Sequence, residues 1–271
     1  FGQMDHADRI EWLVFNAGQG ARTPDGTKIA YLSAATLTRA LERMPLGYPH
    51  NANGRWHYSP AHQVGGSCCT ANAVKLMPYY VASMWMKTDG EAGLAALLLG
   101  PSTVRTRIGG VEVAIRQETE YPFSDRLVFQ FETARPIAFP FEVRIPEWAG
   151  EVDVETGGAD VSGRPGRKVF RKTWRSGDTL SLRFEHPVRL RECVDGGRAV
   201  TCGALLYALP IPTEKRILKK SRGGVPEFIE WELLPETEGW PADLRIGAER
   251  PGGGFSMEAN PDYQPDNPWA K

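Results

Sequence analysis

The chain has 271 residues, 41% hydrophobic and 10% aromatic, enough for one large core or two modest ones. Basic and acidic residues balance at 32 against 33, which leaves no electrostatic footprint for nucleic acid or an anionic membrane. No apolar run reaches the roughly 20 residues of a bilayer span, and "FGQMDHADRIEW" has neither the basic region nor the cleavage site of a signal peptide.

In chain order, "DHADRIEWLVFNAGQG" predicts a helix with Asp5 as N-cap. Ile10, Leu13, Val14 and Ala17 form its apolar stripe, and Gly18 and Gly20 end it. Residues 21–66 are rich in Gly, Pro, Asn and Ser, with a short strand at "KIAYLS" and a short helix at "AATLTRALERM"; so long an irregular stretch suits functional loops. "TANAVKLMPYYVASMWMKTDG" predicts a second helix capped by Thr70, with Val74, Met77, Val81, Met84 and Trp85 at helical spacing and a kink near Pro78.

After Gly90 the pattern changes to short alternating runs: "VEVAI", "RLVFQFE", "FEVRIP", "KVFRKTW" and "TLSLRFE". Their regular spacing predicts an antiparallel sandwich, and "GGVEVAI" carries a glycine turn before its strand. A second β segment runs from "VRLRECVDGGRAVTCGALLYALP" through "EFIEWELLP" into a Gly/Pro-rich tail. The expected organisation is thus α+β and multidomain, with helical segments and loops over 1–90, a sandwich over 91–188 and a second β-rich domain over 189–271. Two amphipathic helices need a surface to bury against: either they dock on the sandwich or they are the last helices of a larger helical domain, and the chain is expected to be a piece of a larger protein.

Four cysteines are too few for a disulfide scaffold in a chain of this size. Cys193 and Cys202 flank a hairpin-like "VDGGRAVT" and read as buried thiols. Cys68 and Cys69, in "GGSCCTAN", are different. Neighbouring Cα atoms lie about 3.8 Å apart, too close for a relaxed bridge between them. They are buried small apolar residues, halves of two different bridges, or thiolate ligands to one metal. Zinc holds thiols ionised at neutral pH, where a thiol of pKa about 8.5 is mostly protonated. A thiolate is also a competent nucleophile toward an anomeric carbon. A site of Cys68, Cys69 and His57 or His62 matches no common zinc phrase.

The ordered series "ADRIEWLVFNAGQGA", "DGTKIAYLS", "SCCTANAVKLMPYY", "ETEYPF", "FEVRIPEWA", "GALLYALPIP" and "EWELLP" resembles glycoside hydrolase family 127 and its relative family 146, the β-L-arabinofuranosidase-type enzymes. The resemblance implies the last helices of an (α/α)6 barrel followed by antiparallel β-sandwich domains. It further implies a retaining exo-glycosidase with Cys68 as nucleophile and zinc ligand, and Cys69 as a second zinc ligand. The other two zinc ligands belong to a Glu-x-Cys phrase upstream, and the acid/base glutamate lies further upstream still. No Glu-x-Cys precedes Cys68 here, so the chain alone is expected to be inactive and to need the remainder of the barrel, as another segment or chain.

By pattern alone Glu11 faces solvent; by resemblance it joins the catalytic pocket, orienting the nucleophile or binding sugar. Tyr31, His57 and His62, in the loop approaching the cysteines, suit a sugar's faces and hydroxyls. Tyr121 and Trp148 read as sandwich core or corner residues. The expected partner is a glycan or glycoside, with no nucleic acid and no membrane. A cytoplasmic location is expected, with a secreted or periplasmic one left open. The competing reading is a non-catalytic β-sandwich that binds carbohydrate or a partner, its cysteines structural.

Overall fold

The computed structural model describes residues 4–22, 29–30, 58–59, 67–88, 92–192, 198–208, 213–220, 223 and 228–233. It divides into two compact units, each discontinuous in sequence. The first comprises Phe1–Val14, Met77–Pro187 and Gly203–Leu205; the second comprises Phe15–Leu76, Val188–Cys202 and Leu206–Lys271. Among the described residues no helix is long and apolar enough to cross a membrane.

Helix α1 spans Met4–Trp12 and continues as a π-helical stretch, Leu13–Gly18. Asp5 therefore lies inside the first turn rather than at the cap, where its charge still complements the helix dipole. The expected apolar stripe is displaced. Ala7, Glu11, Val14 and Phe15 are buried, whereas Ile10 and Leu13 are 40% and 58% exposed. A buried carboxylate has taken the place that periodicity reserved for an aliphatic side chain.

Helix α2 spans Ser67–Ala82 and begins earlier than expected, so Thr70 lies inside it and Cys68 and Cys69 occupy its first turn. Pro78 is interior and deprives the Val74 carbonyl of its intrahelical amide. Tyr80 and Met84 are buried, while Val74, Tyr79 and Val81 are exposed. The helix expected over "AATLTRALERM" lies outside the described residues.

Among the described residues, three small sheets lie largely in the second unit. Strands β1 (Ile29–Ala30) and β2 (Tyr58–Ser59) pair with each other. Val188–Glu192 (β13), Arg198–Cys202 (β14) and Leu205–Tyr207 (β15), which follow the ten strands of the sandwich described below, form one sheet in that order. β13 and β14 pair antiparallel, as the hairpin reading of "VDGGRAVT" required. β16 (Thr213–Lys219) and β17 (Phe228–Leu233) pair antiparallel. The Asn16 side-chain carbonyl accepts the Leu206 amide at 2.8 Å. Cys202 is a buried thiol whose pKa burial raises; Cys193 lies outside the described residues.

The first unit carries a sandwich of two five-stranded sheets. One has the order β10-β11-β8-β4-β3, from Asp160–Arg164, Arg167–Trp174, Ile137–Arg144, Leu94–Ala96 and Trp85–Lys87. The other has the order β5-β6-β7-β12-β9, from Ser102–Ile108, Val111–Glu118, Arg126–Thr133, Thr179–Phe184 and Val152–Glu155. Alternation sets the burial: in β6 Val111, Val113, Ile115 and Gln117 face in, and in β7 Leu127, Phe129 and Phe131 do. Gly109 and Gly110 both hold positive φ in the two-residue turn joining β5 to β6, the geometry a tight hairpin requires.

One pairing departs from the antiparallel expectation: β4 runs parallel to β8, Leu94 opposite Phe141. Parallel neighbours need a long crossover, and β5–β7 in the opposite sheet supply it. The sandwich also starts at Trp85, before the change of sequence texture at residue 90. Its core is aromatic. Phe131 stacks on Trp174 at 3.9 Å between centroids, and Phe141 meets Phe129 and Phe131 edge-on at 5.0 and 5.3 Å. The Trp174 indole donates to the Phe139 carbonyl at 3.0 Å.

Candidate functional site

The first unit contains a buried polar cluster centred on Glu11, which is 1% exposed. Its Oε1 accepts the Leu99 amide at 3.0 Å and pairs with Arg144 Nη2, and its Oε2 accepts the Tyr121 hydroxyl at 2.6 Å. Tyr80 Oη lies 3.1 Å from Oε1 and 2.7 Å from the Leu99 carbonyl, so its one proton serves two acceptors. Arg144 fills its remaining edges, donating from Nη1 to Asp8 Oδ1 at 2.6 Å and from Nε to the Leu97 carbonyl at 2.6 Å. Asp8 also accepts the Glu147 amide at 3.1 Å. The cluster thus joins α1, the end of α2, the segment after β4, Tyr121 and the end of β8.

Local sequence explains most of this placement. Asp8 and Glu11 stand three residues apart, so they share one face of α1. Arg144 breaks the alternation of β8: Val143 and Arg144 are both buried, because the strand ends there and its last side chain turns to the carboxylates. Tyr121 is buried and stacks on Trp148 at 6.2 Å, consistent with a core or corner role for both.

Electrostatics follow from burial and from the Glu11 charge. Burial, then Glu11, raises the pKa of Tyr80 and of Tyr121 well above that of an ordinary phenol, so both hydroxyls stay protonated and donate. Burial pulls Arg144 down, but Glu11, Tyr121 and Asp8 outweigh it and hold the guanidinium charged. Asp8 is raised: its desolvation outweighs the attraction of Arg144 despite their short contact.

The solvent-facing reading of Glu11 from the helix pattern is therefore corrected. Its oxygens are occupied by protein donors, and such a carboxylate orients and holds the elements around it. Arg144 and Tyr80 escaped the sequence reading; the Asp8–Glu11 spacing was the available signal.

Cys68 and Cys69 are consecutive positions at the start of a 16-residue helix. The donor set fits a thiophilic metal as far as it goes, with two sulfurs of the four ligands that tetrahedral zinc takes. Among the described residues no three or more His, Cys, Asp or Glu form a further metal group. Tyr31, His57 and His62 lie outside the described residues.

Residues 93–186, which span most of the sandwich, match a family model described as beta-L-arabinofuranosidase, GH127 middle domain. That segment is like the GH127 middle domain. The chain's fold resembles a GH127 beta-L-arabinofuranosidase from Geobacillus stearothermophilus T6 with a TM-score of 0.60 and 18% identity, over 85% of this chain and 43% of that one. A structure described as a glycoside hydrolase matches at 0.60 and 17% identity, over 86% and 46%. The GH127 beta-arabinofuranosidase BT3674 matches at 0.58 and 15%, over 86% and 42%. The chain thus spans less than half the length of these three structures. No curated protein matches it.

Proposed function

We propose that this chain is the C-terminal part of a retaining exo-glycosidase that hydrolyses β-L-arabinofuranosides or related glycosides. The observation that carries the reading is the Cys68–Cys69 pair in the first turn of α2, in a chain with a GH127-like sandwich. Cys68 Sγ attacks the anomeric carbon as the glycosidic bond breaks, and the leaving oxygen takes a proton from an acid in the complementary part. Water then displaces the sulfur, and two inversions give net retention.

Cys68 and Cys69 would hold zinc together with a glutamate and a cysteine from the complementary part; bound there, zinc keeps the sulfurs deprotonated. Glu11 is a positioning group in this scheme, through the cluster it anchors. Tyr31, His57 and His62 would meet the sugar. The exposed Leu13, Tyr79 and Val81 suit burial against the missing barrel helices.

The test is release of arabinose from a β-L-arabinofuranoside by the complete assembly. Cys68→Ser should abolish turnover while retaining metal measured by mass spectrometry. Full activity in Cys68→Ser overturns the mechanism.

A further inference from the structure

The outer face of the sheet β5-β6-β7 is hollowed into a trough. Two open cavities of about 600 and 680 Å³ adjoin along the row Arg105, Ala114 and Glu132, which lines both. Register explains the hollow. Arg105, Ala114 and Glu132 stand opposite one another across three adjacent strands, and Glu112 and Arg116 flank Ala114 along β6. A one-carbon side chain thus sits at the centre of four long ones. The ring holds two guanidiniums and two carboxylates.

The partners of the ring are unequal. Arg107 pairs with Glu112 at 2.8 Å and Arg116 with Glu118 at 3.2 Å, but Arg105 and Glu132 have no side-chain partner among the described residues. A charged donor and a charged acceptor therefore face each other across the pit with their hydrogen-bonding capacity unspent. The ring sums to zero charge, so an anion entering to meet Arg105 also meets Glu112 and Glu132. No aromatic side chain lines either cavity, so an apolar ligand gains little. A hydroxyl, which donates and accepts at once, satisfies both signs together.

We propose that the trough over Ala114 is an accessory glycan-binding site, taking a neutral sugar unit whose adjacent hydroxyls bridge Arg105 and Glu132. It deepens the glycosidase reading and rests on it for the ligand class.

The test titrates the whole chain with a neutral arabino-oligosaccharide, and with an oligogalacturonate of equal length, by calorimetry and NMR. Saturable binding of the neutral ligand is expected. Ala114→Leu, which fills the pit, and the double variant Arg105→Ala/Glu132→Ala should each weaken it by about tenfold or more, with unfolding midpoints close to the parent. If the parent chain binds the neutral ligand saturably while the assembly of the parent chain shows no hydrolysis, the glycosidase reading fails and the trough stands. Hydrolysis by the assembly with no saturable oligosaccharide binding to the chain overturns the trough alone. So does unchanged affinity in both pit variants, or preference for the acidic ligand.

Discussion

The first unit has two interiors of opposite chemistry. Between the sheets, Phe129, Phe131, Phe141 and Trp174 pack ring against ring with one buried hydrogen bond, from the indole. In the other, Arg144 stands between Glu11 and Asp8, and two phenols complete the shell. An apolar interior loses stability in proportion to the volume removed. An ionic one responds to which partner is removed, because the charge left behind cannot be resolvated.

The sharpest way to break this contrast is Arg144→Leu, which strands two carboxylates. It is expected to cost about 3–5 kcal/mol in urea unfolding. Replacing the set together, as Arg144→Met with Glu11→Leu and Asp8→Asn, should recover most of that loss; no recovery would mean the network's geometry matters beyond its charge balance. Next comes Tyr121→Phe, which removes one hydroxyl from Glu11 and is expected to cost about 1.5–3 kcal/mol. In the aromatic interior, Phe131→Leu should cost about 1–2 kcal/mol, its lost stacking on Trp174 included. If Phe131→Leu proves the costlier of these two single changes, the ionic interior is softer than its contacts imply.

The smallest effect concerns pH. His186, packed edge-on to Trp148 at 4.8 Å, has its pKa lowered from 6.5 by burial, with Asp125 opposing. Between that unfolded value and the lower folded one, the unfolded chain binds more protons, so stability falls as pH drops through the window. His186→Gln should flatten the difference between urea midpoints at about pH 7.5 and about pH 5.5.

The strands were legible because alternation survives almost everywhere in them: "VEVAI" and "RLVFQF" bury the side chains that a period of two selects. Arg144 was not, since alternation turns it outward and only the tertiary meeting with α1 turns it in. The helices misled for a related reason. Periodicity counts Glu11 as polar and therefore exposed, yet three donors and a cation neutralise its burial, while Leu13 and Tyr79 remain uncovered. The position of the cysteine pair was not legible, because Thr70 offered itself as the cap while the helix starts three residues earlier, at Ser67.

The parallel placement of β4 sets the order in which the sandwich can be assembled. Leu94–Ala96 lies between β3 and β8 in its sheet, but Phe139–Val143 arrives only after β5, β6 and β7 have crossed to the opposite sheet and returned. The Trp85–Ala96 hairpin must wait, half paired, while some forty residues of chain fold elsewhere. Contacts this distant in sequence are closed late and slowly. During synthesis the ribosome would have to release β8 before the edge of β4 could be covered, so that edge is where a partly made chain is most open to pairing with another copy.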